Sequence, residues 1–364
     1  MTAAAPRQAR ERDRPQSPVT GRRVLVARLD SDGDVLLAGP AVRAVAAAGR
    51  VVLWCSRRGR QAAELLPGVD EVLVHDAAWI DPDPRPLTRA DALALVERLA
   101  ALRVDQAIVL TSFHQSPLPA ALLLRMAGVA TVAACCEDYP GSLLDVRHRP
   151  DEGSHEVERA LSLVATLGYR LPAGDEGGLA VRRPASPWCP PPEWDGYVVV
   201  HPGASVPARA WAPEHNAALV DALVRRGRRV VVTGGPGETD LAAQVSGKGR
   251  HGDAVVDLAG RTTLAELAEV VAGADVVVVG NTGPAHLAAA VGTPVVSLFA
   301  PTVAVTAWRP WGVPCRLLGD LDIACGGCRA RVCPVPGHPC LSAVAIDEVV
   351  GAVDVLSPAP ATAG

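Results

Sequence analysis

Short β-branched runs alternate with longer Ala/Leu-rich stretches along most of this chain. The runs at 24–27, 51–54, 71–74, 107–110 and 131–134 are apolar at consecutive positions, as in strands buried on both faces of a parallel sheet. Between them lie stretches of helical length such as 90–102, where apolar residues recur on one face. The rhythm stops in a Pro/Gly-rich stretch, 171–196, whose run Cys189-Pro190-Pro191-Pro192 cannot be helix interior or central strand. It then restarts, with strands predicted at 197–201, 229–233, 255–258, 275–279 and 294–299 and helices at 214–226, 263–272 and 283–291. The pattern predicts an α/β fold of two Rossmann-like doubly wound domains facing a cleft, one over 21–185 and one over 197–356, joined by a Pro-rich linker at 186–196. Ligands are expected in that cleft, where strand carboxyl ends meet helix N-termini.

Composition narrows the reading. A length of 364 residues suits two domains, and 49% hydrophobic against 20% charged residues supplies ample core and rules out wholesale disorder. Lys plus Arg total 35 against 39 Asp plus Glu, a net charge of -4, so no global basic field draws nucleic acid, which is not an expected partner. Lys248 is the sole lysine, which leaves cationic roles to Arg. Residues 1–20 are rich in Arg, Pro and Gln and lack the apolar core of a secretory signal, so they read as a disordered leader, with a disordered tail at 357–364. No apolar run reaches the roughly 18 residues of a membrane span. Cytoplasmic residence is the expectation, and nine cysteines, an odd number, speak against a secreted disulfide framework.

Four loops after predicted strands carry candidate chemistry. The first reads Arg28-Leu29-Asp30-Ser31-Asp32-Gly33-Asp34-Val35 and leads into an Ala/Leu-rich helix running to Ala48. Asp34 falls near a helix N-terminus, where the dipole favours its ionised form; it serves there as a cap, or as an acceptor for a substrate hydroxyl proton. The overlapping Asp-x-Asp pairs lack a third type of metal ligand nearby. The second loop, His201-Pro202-Gly203-Ala204-Ser205 followed by Arg209, sets small residues and a fixed charge after a strand, without the spacing of an ATPase P-loop. A further glycine-rich turn, Thr233-Gly234-Gly235-Pro236-Gly237, ends on Glu238, an acceptor for ribose hydroxyls or a cap for the next helix. The fourth and strongest, Gly280-Asn281-Thr282-Gly283-Pro284-Ala285-His286, ends a strand and opens a helix, aiming free N–H groups and the Thr282 hydroxyl at the cleft as an anion seat. His286, one turn in, is either part of that seat or a core histidine.

Taken together, Arg28-Leu29-Asp30 through Gly33-Asp34-Val35, His-Pro-Gly-Ala-Ser, Gly-Asn-Thr-Gly-Pro-Ala-His and Leu298-Phe299-Ala300-Pro301-Thr302 resemble glycosyltransferase family 9, the bacterial heptosyltransferases that use ADP-heptose. The likeness runs over about 23–356 with order and spacing intact. It implies a GT-B architecture, an ADP-sugar donor bound mainly by the C-terminal domain, an acceptor on the N-terminal domain, and inverting transfer of a heptose or related sugar without a catalytic metal. By that resemblance Asp34 matches the proposed catalytic base. Arg209 stands where many members carry a Lys near the donor diphosphate. Ser205 and Glu238 match positions near the nucleotide, and Thr262 a position by the base pocket. Thr282, Gly283 and His286, with Pro284 between them, match the diphosphate turn, while Asn281 departs from the Asp that many members carry. The acceptor is a glycan, a lipid-linked sugar or a small molecule, and a lipid-linked one would place the enzyme peripherally at the inner membrane face. The competing classes are a nucleotide-sugar epimerase or hydrolase on the same fold and a noncatalytic sugar-binding relic.

Four cysteines stand apart from these motifs. Cys325, Cys328, Cys333 and Cys340 form C-x2-C-x4-C-x6-C with His338 in the last interval, a spacing that suits a structural zinc held by four thiolates or simply free thiols packed in a loop. Similar clusters occur in some members of the resembled family.

Overall fold

A computed structural model describes residues 21–183, 188 and 190–357. The leader expected at 1–20, the tail after Ser357 and parts of the 186–196 linker lie outside those residues. The first half builds a sheet from β1 (Arg22–Arg28), β2 (Gly49–Cys55), β3 (Glu71–Val74), β4 (Gln106–Leu110), β5 (Thr131–Cys135) and β6 (Val146–His148). All pairings are parallel, in the order β3-β2-β1-β4-β5-β6. The second half builds β7 (Val198–His201), β8 (Val230–Val232), β9 (Val255–Asp257), β10 (Val276–Gly280), β11 (Val295–Leu298) and β12 (Cys315–Leu318). Its order, β12-β11-β10-β7-β8-β9, repeats the winding of the first sheet strand for strand. Each sheet therefore has one point where the winding reverses, between β1 and β4 and between β7 and β10, and a crevice opens there beyond the strand carboxyl ends.

Successive residues of the central strands point to opposite faces, and each face is covered by helices. Val24 and Val26 of β1 pack with Val42, Val45 and Leu163, whereas Leu25 and Ala27 pack with Leu95, Leu99 and Leu124. In the second sheet Val198 and Val200 meet Leu219 and Val349, and Val199 meets Val270 and Ala288. Burying each such side chain stabilises the fold by about 1.5–3 kcal/mol, so two-faced burial explains why these strands carry no polar alternation.

The helix expected to run on to Ala48 is two helices, Asp32–Leu37 and Gly39–Ala46, which meet at Ala38. Pro40 in the first turn of the second lacks an N–H, which suits a helix start and not a helix interior. Among the described residues no helix is long and apolar enough to cross a membrane.

The two halves are in close contact. Leu37 and Val157 from the first share a buried cluster with Ala289 and Ala290 from the second. Arg183 grips Glu269 with two bonds of 2.6 and 2.9 Å, and the His155 ring stacks on Trp311 at 4.4 Å. Backbone approaches backbone at the crevice mouths, where a Cβ on Gly33 would come within 2.9 Å of the Gly283 Cα. Only glycine admits that approach, and it brings the start of helix Asp32–Leu37 against the start of helix Gly283–Val291.

Candidate active site

Asp34 is the third residue of its helix rather than the cap. Ser31 caps, and its backbone N–H and hydroxyl both donate to Asp34 Oδ2, at 3.3 and 2.9 Å. Arg28, the last residue of β1, lies beneath and is 4% exposed. Its Nη2 donates to Asp34 Oδ1 and to Ser112 Oγ, both at 3.0 Å, and Nη1 donates to Glu156 Oε2 at 3.2 Å. Asp30 Oδ2 is 3.2 Å from Arg28 Nε, while Gln115 donates to the other oxygen of Asp30. One buried guanidinium thus serves three carboxylates.

Burial alone would raise the Asp34 pKa, but the Arg28 charge and the Ser31 bonds outweigh it and hold the carboxyl below the usual range. Asp30 goes the other way, pushed up to about 6 by burial and by the neighbouring Asp34 charge. The Arg28 guanidinium, opposed by burial but surrounded by Asp30, Asp34 and Glu156, is held above its ordinary pKa. The consequence is an Asp34 carboxylate that is ionised at neutral pH, with 17% of its side chain still open for a substrate to reach. Asp32 turns away and accepts from Ala62 N–H at 2.9 Å, so the three aspartates of the loop do not converge on one point.

Across the crevice, the turn Pro207–Arg209 presents a guanidinium with a different surrounding. Arg209 Nε reaches only the Thr302 hydroxyl, at 3.3 Å, and among the described residues no carboxylate pairs with it. Burial depresses its pKa, and the Asp34 charge partly restores it, which places the two groups within electrostatic reach of one another. A half-buried cation without a paired carboxylate is a seat for an anion.

Beside it, Thr282 caps helix Gly283–Val291, and Pro284 occupies the first turn. The Thr282 Oγ1 and His286 Nδ1 atoms are buried with no partner. The Gly283 N–H, an unspent hydroxyl and the Arg209 charge therefore gather near Asp34, whose charge is felt at both Arg209 and His286.

Burial pushes the His286 imidazole down to about 4, with the Asp34 charge opposing, so the ring is neutral in the folded protein. From its ordinary value of 6.5 down to about 4, the unfolded chain binds a proton that the folded chain refuses. His286 thus costs stability as pH falls through that window, reaching about 3 kcal/mol at its foot. Asp30 and Asp32, each raised to about 6 by burial, hold protons more tightly when folded and act in the opposite sense. The comparison of wild type with His286→Gln isolates the histidine. In urea titrations the variant is expected to gain on wild type by about 1.4 kcal/mol per pH unit on acidification from 6.5 to 4. A difference that stays constant with pH would mean that the folded protein accepts the proton.

The remaining predicted residues sit around this centre in other ways. Glu238 accepts from Gly235 N–H at 2.7 Å and lies over Gly203, where a Cβ would fall 2.0 Å from its carboxylate oxygen. It ties the mouth of β8 to that of β7. Ser205 is exposed and Thr262 half-buried in the loop before helix Leu264–Ala272. Asn281 spends both ends of its amide on Ala300, donating at 3.1 Å and accepting at 3.2 Å, and so locks the end of β10 to that of β11. Cys325, Cys328, Cys333, Cys340 and His338 line one small cavity of about 30 Å³, against Ala208 and Thr302. Burial first, then the neighbouring Cys333, Cys325 and Cys328 thiols, push Cys340 up to about 11. Among the described residues no three His, Cys, Asp or Glu groups are disposed to hold a metal ion.

Sequence reading passed over the groups that surround Asp34. Arg28 stands in the motif as a cation beside three acids, a signal that was there to use. Glu156, Ser112 and Gln115 come from distant segments with no motif, and only the fold reveals them.

Two like-wound parallel sheets meeting mouth to mouth, with a carboxylate on one side and an unpaired cation at a helix N-terminus on the other, define a protein of the GT-B class. The chain belongs to glycosyltransferase family 9 (heptosyltransferase), whose sequence model matches residues 92–338. That stretch contains the Arg209, Thr282 and His286 loops and excludes Asp34. It is 32% identical over 176 residues to lipopolysaccharide heptosyltransferase 3 of Escherichia coli, a match covering 44% of this chain and about half (49%) of that relative. It is 30% identical over 297 residues to lipopolysaccharide heptosyltransferase 1 of Pseudomonas aeruginosa, covering 77% of this chain and 79% of the other. The E. coli heptosyltransferase solved with ADP-2-deoxy-2-fluoro heptose has the same fold at a TM-score of 0.68 and 22% identity, over 92% of this chain and 99% of that one.

Proposed function

We propose that this protein transfers a heptose or related sugar from an ADP-sugar to an acceptor hydroxyl, with inversion and without a catalytic metal. The observation that carries the reading is the placement of Asp34 within electrostatic reach of Arg209 and beside the start of helix Gly283–Val291, where the backbones of the two halves approach at Gly33 and Gly283. In the reaction Asp34 takes the proton of the acceptor hydroxyl while the acceptor oxygen forms the new bond to the anomeric carbon. The bond from that carbon to the diphosphate breaks, and ADP leaves with the electron pair. Arg209, the Thr282 hydroxyl and the Gly283 N–H at the positive end of the helix receive the charge that develops on the departing phosphate. A base and a leaving-group seat on opposite halves favour attack from the face opposite departure. Closure of the two halves keeps water from competing with the acceptor.

The four cysteines complete the proposal with a structural zinc. Its support is a soft thiol set lining one cavity against the turn that carries Arg209; no three of these thiols converge as they stand, so the ion would have to draw the loop in. Its role would be to hold that loop, not to act on the sugar.

One set of measurements tests both. Incubation with ADP-heptose and a truncated core-glycan acceptor is expected to give a glycoside of inverted anomeric configuration by NMR, at the same rate after EDTA dialysis of the reaction buffer. Release of free sugar alone, or loss of transfer restored by magnesium, would overturn the transferase reading. Elemental analysis of protein purified without added metal is expected to show one zinc per chain. Zinc far below that, with all four thiols reacting at once in the native protein, would remove the metal.

A further inference from the structure

The turn that carries Arg209 is held from outside by the cysteine loop. Ala208, 2% exposed, donates its N–H to the Arg331 carbonyl at 3.0 Å, and its own carbonyl meets His338 Nε2 at 3.1 Å. The next residue is Arg209. Its one side-chain partner, Thr302, is fastened to the same loop, because Arg329 N–H donates to the Thr302 carbonyl at 2.9 Å. His338 does this from a left-handed backbone, φ +49°, a conformation that costs a non-glycine residue energy and persists where the surroundings enforce it. Arg329 shares that strain at φ +54° and places its guanidinium 4.3 Å from the Phe113 ring, on the other half of the molecule.

We propose that His338 is a positioning residue of the donor site, holding the Ala208 carbonyl so that the Arg209 guanidinium stands where a nucleoside diphosphate binds. The inference rests on the reading of Arg209 as a diphosphate ligand. It needs only the His338 N–H, which donates to a carbonyl, and is independent of any metal at the neighbouring thiols. Glutamine, whose amide nitrogen reaches about as far as Nε2, should substitute for it. Alanine should not, although both replacements bear the same backbone strain.

The test is calorimetric titration of the full-length protein with ADP and with adenosine, which lacks the diphosphate. His338→Ala is expected to weaken ADP about 10-fold and adenosine hardly at all, and His338→Gln to restore ADP to within about 3-fold of wild type. In an Arg209→Ala background, itself expected to be about 100-fold weaker for ADP, His338→Ala should add less than about 2-fold. Should the alanine variant fail to fold, His338→Asn, which tolerates left-handed backbone but is too short to reach, takes its place. Equal losses for ADP and adenosine, or a full 10-fold loss added to Arg209→Ala, would make His338 a merely structural residue and overturn the proposal. So would unchanged ADP affinity in His338→Ala while Arg209→Ala weakens it. If Arg209→Ala itself binds ADP like wild type, the donor-site reading falls and takes this inference with it.

Discussion

Replacing Asp34 by asparagine is expected to lower kcat by about 10²–10⁴-fold, the usual contribution of a positioned general base, while ADP affinity stays within about 2-fold of wild type. Asparagine keeps the size of the side chain and still offers Ser31 an oxygen, but it cannot take a proton, and its NH2 then turns to Arg28 Nη2, which keeps Ser112. The fold should survive for a reason visible around Arg28. That guanidinium retains Glu156 at 3.2 Å and Asp30 at 3.2 Å, so no buried charge is stranded when Asp34 is neutralised. Asp30 loses a like-charged neighbour, and its pKa should fall from about 6 towards the ordinary range. Stability is therefore expected to fall by about 1–3 kcal/mol without loss of the fold, read from urea midpoints at neutral pH. Normal turnover in a stable, ADP-binding variant would return Asp34 to the role of a helix-start residue. Collapse of the fold would show that the Arg28 cluster depends on it more than the geometry implies.

Arg209→Ala should divide binding from stability in the opposite way. ADP affinity is expected to drop about 100-fold, the loss of a charge-assisted, two-pronged contact with a diphosphate. Thermal stability without ligand should stay the same or rise. The ligand-free protein holds this guanidinium in a partly buried place with a hydroxyl for its only side-chain partner, a condition that burial opposes. Ordinary surface or core arginines do not behave so, since removing them costs a salt bridge or packing. Arg209→Lys should be intermediate, because the charge remains while the planar fork and the contact with Thr302 are lost. Calorimetry and thermal unfolding on the same preparations check both halves. A variant that is destabilised and still binds ADP normally would mark Arg209 as a structural residue.

How much of this was legible beforehand differs by element, and the physical reason is locality. Strands β1, β4 and β10 and helices Arg89–Ala101 and Gly283–Val291 were readable because two-faced burial and helical period are written into consecutive residues. The sharp loops after β1, β7 and β10 were readable too, since the small and acidic residues that make such turns are a local requirement. Edge strands β6 and β12, half-buried and only three and four residues long, left no apolar run to detect. The helices Leu118–Met126, Glu156–Thr166 and Ile346–Leu356 went unpredicted, their faces being decided by what packs on them.

The candidate site divides along the same line. Sequence alone determined which residue types stand at the strand ends: acids after β1, small residues and Arg209 after β7, and a helix start after β10. Which of them meet was a matter for tertiary structure. Gly33 and Gly283 are 250 positions apart and touch because two separately wound sheets bring their reversal points together. Glu156 joins Arg28, 128 positions away, and Asn281 turns to Ala300. A carboxylate acquires its charge state, and a guanidinium its lack of a partner, from neighbours in space, and neighbours in space are what a linear pattern does not contain.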